Sequence, residues 1–251
     1  MPNHPGHPPN ESLTQSAPQG IFAILFSPRA LAVGGLGSGR SITNTMSFYR
    51  TAVLPRLLDF SEGLSGFEAA RQRTVEFATG HVLEIGSGVG STLAFYSREI
   101  TSLTTVDPNP VLNARVRRRL RHLAFPVDVR EGRCEQLPVK DAAFDCVVSA
   151  FALGCVEHLE QAAAEIFRVL KPGGRFYFVE MGLSSDPRMA RWQWRLRGLQ
   201  SLLVAGCKLD RPLEAALTGA GLQLKRLEGV RLDAVPRVLG YAYEGCAVRD
   251  S

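Results

Sequence analysis

The sequence predicts a doubly wound α/β fold, with a mostly parallel seven-stranded sheet and an antiparallel edge at the C-terminal end. Three observations carry that prediction. Short apolar runs alternate with helical stretches between residues 81 and 180, which is the pattern of βαβ units. The run 144–149 is apolar almost throughout, as a strand covered on both faces must be. Two further strand-like runs, 222–228 and 239–248, close the chain and would form the antiparallel edge.

The elements follow in order. Residues 47–60 and 66–78 read as helices, the second ending at Gly80, a natural stop. His81 to Ile85 is a short strand that runs into a glycine turn, and 91–98 reads as a helix. Thr101 to Val106 is the second strand and ends at Asp107. A helix over 110–123 leads to strands at 127–130 and 144–149. A helix over 158–170 is closed by Lys171-Pro172-Gly173-Gly174 before a fifth strand, 175–180. Helices over 186–205 and 211–220 precede the two final strands. Residues 1–40 read as a flexible leader and 41–251 as one domain: the leader is polar and Pro-rich, then briefly apolar, then rich in Gly and Ser.

Composition narrows the classes. The chain has 251 residues, 45% hydrophobic and 21% charged, enough for a sizeable core. A net charge of +5 is a mild excess that favours anionic partners without demanding one, and no nucleic-acid partner is expected. The five cysteines show no C-x-x-C spacing, so neither a disulfide framework nor a metal site is expected. This reads as a reducing, cytoplasmic protein. No secretory signal is visible, and the apolar run 21–26 is far short of the roughly 20 residues that span a bilayer. Peripheral membrane contact stays open.

The strongest local signal is Val82-Leu83-Glu84-Ile85-Gly86-Ser87-Gly88-Val89-Gly90. A strand delivers the chain to a turn whose glycines take dihedrals closed to other residues and leave the backbone bare for a ligand. The helix expected after it would present free N–H groups. Asp107 follows seventeen residues after Gly90, at the end of the next strand, where a carboxylate can accept both hydroxyls of a ribose. Dinucleotide sites read G-x-G-x-x-G, whereas here the spacing is G-x-G-x-G with Ser91 next. Glu84, two residues before the first glycine, suits a cationic nucleoside better than a pyrophosphate. S-adenosylmethionine carries a sulfonium and an amino group and no phosphate.

On these residues the chain resembles the class I S-adenosylmethionine-dependent methyltransferases, a Rossmann-like family, over about residues 45–185. Glu84 to Gly90 is similar to the family's first motif and Asp107 to its second. Arg133-Cys134-Glu135-Gln136-Leu137-Pro138 resembles the segment bordering the adenine, although Arg133 and Cys134 stand where Asp or Asn is usual. Phe144 to Val148 resembles the fourth-strand motif, and Arg168 to Gly174 the turn before the fifth. The resemblance implies cofactor contacts from Glu84, Gly86, Ser87, Gly88, Val89, Gly90, Asp107, Pro108, Arg133, Cys134, Glu135 and Ala150. Within the class, Phe167 to Glu180 and Gly206-Cys207-Lys208-Leu209-Asp210-Arg211 look similar to the small-molecule thiol methyltransferases, with the UbiE-like quinone C-methyltransferases near in pattern.

The expected function is methyl transfer to a small-molecule acceptor: an apolar thiol, a quinol or a lipid. No residue qualifies as a catalytic base, which favours a soft or already activated acceptor. The competing readings are a non-catalytic nucleoside-binding or membrane-associated module, and an NAD-type oxidoreductase. Five arginines between Arg115 and Arg121 read as a solvated helix face. Met189, Trp192, Leu196, Leu199 and Leu203 share one helical side, against the core or as a lid or membrane-surface helix. His158 reads as a helix-start residue rather than a base, Tyr49 could close over the cofactor, and Glu180 and Met181 could border the acceptor.

Overall fold

A computed structural model describes residue 55, residues 64–196 and residues 207–250. The expected leader, its apolar run, the helix over 47–60 with Tyr49 apart from residue 55, and the positions Leu199 and Leu203 lie outside the described residues. Seven strands form one sheet: β1 (Gly80–Ile85), β2 (Ile100–Asp107), β3 (Val127–Glu131), β4 (Phe144–Ala150), β5 (Leu170–Met181), β6 (Leu222–Arg231) and β7 (Tyr241–Arg249). Their spatial order is β3-β2-β1-β4-β5-β7-β6. The first five pair in parallel, while β7 pairs antiparallel with both β5 and β6. The strand order reverses between β1 and β4, and the crevice at such a switch point is where open α/β sheets bind ligands.

Helices α1 (Ser65–Val75), α2 (Pro110–Arg119), α3 (Leu159–Val169), α4 (Pro187–Arg195) and α5 (Leu213–Gly219) complete the described chain. Leu83, Ile85, Val147, Phe176 and Phe178 bury one sheet face together with Ile166 of α3 and Leu217 of α5. Val82, Leu103, Cys146 and Val148 bury the other face together with Val116 of α2. Alternate strand residues thus serve opposite cores, which explains strands that are apolar without a break. Asn109 caps α2 by accepting from Val111 N at 3.0 Å, with Pro110 supplying a preset first turn. Asp186 does the same for α4 through Arg188 N, with Pro187 next.

Family-like motif residues also hold the frame. Arg168 reaches Glu165, Asp141 and the carbonyls of Leu137 and Val139. Lys171 Nζ lies 2.7 Å from Asp145, whose second oxygen accepts from His81 N. Arg73 of α1 donates to Glu244 of β7.

The structure corrects several expectations. The expected helix over 91–98 is instead a series of turns across residues 88–95. Its bonds run from Gly90 N to Ser87 O, Leu93 N to Gly90 O and Phe95 N to Thr92 O, each spanning three residues rather than four. The Thr92 side chain is drawn down onto Glu84, which holds the segment against the sheet. Lys171 to Gly174 does not end a helix; it lies inside β5 at a register break, where pairing jumps from Leu170–Phe144 to Arg175–Cys146. In α4 the buried side chain is Gln193, whose Oε1 accepts from Ser184 N and whose Nε2 donates to Gly182 O. Of the expected apolar side, Trp192 is 56% exposed whereas Met189 and Leu196 are half-buried, so that side is only partly covered. Between Arg115 and Arg121, Arg117, Arg118, Arg119 and Arg121 are exposed, as a solvated face requires.

The cysteine reading is also corrected, because Cys155 and Cys207 form a disulfide across 52 residues of sequence. Sequence spacing could not foresee a pair brought together only by the fold. Cys134, Cys146 and Cys246 are free. Closing a loop of this length stabilises by roughly 4 kcal/mol in the chain-entropy model. Intact mass spectrometry without reductant should show the loss of two hydrogens, and denatured protein should titrate three thiols. Cys207→Ser should lower the melting temperature under oxidising conditions and leave it unchanged under reduction.

Candidate active site

Three carboxylates are buried where strands end at the carboxyl edge of the sheet: Glu84 of β1, Asp107 of β2 and Glu180 of β5. Each is held by the loops around it. Glu84 Oε1 accepts from Thr92 Oγ1 at 2.5 Å, and its Oε2 accepts from Tyr96 OH at 3.2 Å. Asp107 Oδ2 accepts from Gly88 N at 3.0 Å, and its Oδ1 accepts from Asn109 N at 2.8 Å. Glu180 takes four donors: Ser149 Oγ at 2.6 Å, then the backbone N–H groups of Ala152, Leu153 and Gly154. It therefore fixes the loop after β4 rather than standing open to an acceptor.

Burial dominates the electrostatics. It pushes the Glu84 carboxyl up to about 7, against the hydroxyls of Thr92 and Tyr96 and the charge of Arg71, which favour ionisation. It also pushes Asp107 up to about 6, partly offset by the N–H groups of Asn109 and Gly88. Glu180 is raised by the same cause. Arg71, itself buried, lies over the rings of Phe67 and Phe151 at 5.7 and 5.5 Å. Phe151, just past β4, holds φ at 63°, a conformation non-glycine residues rarely adopt outside constrained sites.

The glycine turn lies between the first two carboxylates. Gly86 has φ 67°, and a Cβ there would collide with Ala152 of the loop after β4. Gly90 has φ 81°, and a Cβ there would press on Leu93. Only glycine satisfies both demands. Ser87 is 5% exposed, and its Oγ is buried without a hydrogen-bond partner. Val89 is buried in its side chain, so only its backbone serves the turn. Pro108 is exposed beside Asp107.

The adenine-type segment is stitched to the loop after β4. Glu135 Oε1 accepts from Glu157 N at 2.8 Å, and Arg133 bridges Glu135 and Glu157 on the surface. Cys134 is held well above the usual thiol range by burial. Ala150 ends β4, half-buried, next to Phe151. His158 caps α3 without a side-chain bond, as expected of a helix-start residue.

The structure thus brings Glu84, Gly86 to Gly90, Asp107 and the loop after Ala150 to one edge. Arg133 is exposed and pairs with Glu135 and Glu157. Sequence reasoning missed Thr92, Tyr96, Arg71 and Asn109. Of these only Asn109 left a signal, the helix-start pattern Asn109-Pro110.

Comparisons with known proteins give the family and the fold. Residues 83–178 match the family model described as a methyltransferase domain. The human thiol S-methyltransferase TMT1A is 31% identical over 170 residues, covering 64% of this chain and 69% of its own length. This chain belongs to the methyltransferase domain family. The ubiquinone/menaquinone biosynthesis C-methyltransferase UbiE of Bartonella bacilliformis is 35% identical over 135 residues, and the match spans 50% of this chain and 52% of that relative. Among solved structures, a Haloferax volcanii methyltransferase in complex with the Trm112 activator superposes with a TM-score of 0.62 at 17% identity, over 80% of this chain and 95% of that one. A SAM-dependent methyltransferase of Thermotoga maritima gives 0.57 at 18% identity, over 84% and 97%. At such identities these neighbours establish the fold. Among the described residues, no helix is long and apolar enough to cross a membrane.

The raised carboxyl of Glu84 sets a pH test. A group whose folded pKa exceeds its unfolded value contributes stability that is present below the unfolded pKa and lost as pH rises through the folded one. From 4.5 to about 7, at about 1.4 kcal/mol per unit, Glu84 costs about 3 kcal/mol when it ionises. Ligand-free protein should therefore lose stability between about pH 5 and 7.5, and Glu84→Gln should flatten a large part of that fall. Urea melts across the window check this, and identical slopes for the two proteins would refute it.

Proposed function

We propose that the chain transfers the methyl group of S-adenosylmethionine to a small-molecule acceptor, an apolar thiol, quinol or lipid. The observation that carries this reading is the glycine turn held between two buried carboxylates, with the Ser87 hydroxyl buried beside it and without a partner. A buried polar atom lacking a bond is costly, and a ligand that supplies the bond removes the cost. The residues fit a cationic nucleoside. Glu84 and Asp107 place negative charge at one edge, Gly86 to Gly90 leave bare backbone, and family membership supports the same cofactor class.

In this reading the backbone of Gly86, Ser87, Gly88, Val89 and Gly90 bears the cofactor, and Asp107 grips the ribose with Pro108 alongside. Arg133, Cys134 and Glu135 border the adenine, and Ala150 lines the floor. Glu84, already bonded to Thr92 and Tyr96, supplies charge to the site and rigidity to the turn. When bound, the cofactor contributes an electrophilic methyl on a sulfonium. The protein orients the acceptor in line and excludes water. A thiol acceptor reacts as its thiolate and asks little of a base. That accords with a site where the buried carboxylates are occupied in holding loops. The thiol and quinone relatives give the acceptor classes to try first.

Titration calorimetry should show S-adenosylmethionine binding and no competition by NAD. Asp107→Ala should weaken that binding by about 1–3 kcal/mol, the scale of lost bonds to a charged group. Asp107→Asn, which keeps the shape, should lose less. Tight NAD binding without S-adenosylmethionine binding would overturn the reading, as would cofactor binding with no labelled methyl transfer to any thiol, quinol or lipid tested.

A further inference from the structure

A second feature of the same edge bears on the acceptor. A narrow cavity of about 40 Å³ opens beside Glu180 and Met181 at the end of β5. The loop after β4 stands between it and the glycine turn: Ala152 packs on Gly86, while its neighbour Leu153 lines the cavity. The walls are apolar, formed by Leu153, Leu159, Met181, Leu209 and Leu213. Its polar groups are mostly spent. Glu180 is saturated by four donors, and Tyr243 OH donates to Leu183 O at 3.0 Å.

Arg211 is the exception. One terminal nitrogen, Nη2, donates to Val156 O, while its Nε–H is buried with no partner. Among the described residues no carboxylate forms an ion pair with it. The segment carrying it is pinned to the loop after β4 by the Cys155–Cys207 disulfide and by Lys208 N donating to Gly154 O at 2.9 Å. A guanidinium held against leucines with a buried, unused donor is unfavourable unless something completes it.

We propose that Arg211 determines acceptor specificity by receiving the carboxylate of an apolar monocarboxylic acid. The Nε–H and a remaining terminal N–H form the planar fork that pairs with a carboxylate through two bonds. The leucines and Met181 contact the hydrocarbon next to the carboxylate, and the rest of that chain extends out of the narrow cavity. A single negative charge neutralises Arg211, whereas a phosphate dianion would leave excess charge beside Glu180. The proposal rests on the methyltransferase reading for its purpose but not for its test.

The test uses the full chain, oxidised, with hexanoate and methyl hexanoate as probes and no methyl donor present. Hexanoate should bind about ten- to a hundredfold tighter than its ester, the scale of a charge-assisted bond. It should also shift the Arg211 Nε–H resonance in 15N-edited NMR. Arg211→Met should abolish the preference while leaving ester binding unchanged, and Arg211→Lys should recover part of it. Equal binding of acid and ester, no hexanoate binding at millimolar concentration, or a preference that survives Arg211→Met would each overturn the proposal. With donor added, 6-mercaptohexanoate should be methylated in preference to its methyl ester. If the donor binds and both are methylated alike, the Arg211 assignment fails and the enzyme reading stands. If hexanoate binds through Arg211 but no donor binds, the enzyme reading fails and the carboxylate pocket stands.

Discussion

Burial of carboxylates at the carboxyl edge of the sheet is the constraint on which the rest of this site depends. A charged oxygen out of water must be given donors, and the nearest donors belong to the loops that follow the strands. Glu84 draws in Thr92 and Tyr96, Asp107 draws in Gly88 and Asn109, and Glu180 draws in the loop after β4. The three acids therefore act as anchors, converting flexible connections into a fixed wall around the switch point. The groups that shape the turn also set its potential, because the same burial that demands donors raises the carboxyls of Glu84 and Asp107.

The loop after β4 is the hinge of this arrangement. It touches the glycine turn through Ala152, the cavity beside Glu180 through Leu153, and the segment ending at Arg211 through Gly154, Cys155 and Val156. Its backbone is tied to Glu180, and Phe151 holds an unfavourable dihedral at its start. A loop so determined can carry order from β5 to both sides of the site. Glu180, the acid that lines the cavity, is committed to the Ser149 hydroxyl and to three backbone donors of this loop.

Much of the fold was legible in the sequence. The seven strands fall within a few residues of their expected positions, because an apolar run flanked by turn residues leaves little choice. The helix over 91–98 was misread, since its composition permits a helix, whereas the segment forms turns whose Thr92 and Tyr96 side chains bond to Glu84. In α4 the spacing of Met189, Trp192 and Leu196 suggested an apolar side that could meet the core, a lid or a membrane surface. Met189 and Leu196 are half-buried and Trp192 is exposed, while the side chain buried in this helix is the polar Gln193, which bonds to Ser184 and Gly182. Within the site, the glycines and Asp107 were evident from spacing. The partners that fix them, Thr92, Tyr96 and Arg71, were not.

By itself the sequence determined the strand order of events along the chain, the glycine turn and the acidic residues that flank it. These depend on backbone dihedrals and on period-two burial, both local properties. Only the tertiary structure decided which donors satisfy each buried acid, that Cys155 meets Cys207, and that Arg211 stands over a cavity with its Nε–H unspent. Such pairings join residues tens of positions apart. Their energies come from desolvation and contact, which no linear pattern encodes until the chain has closed around them.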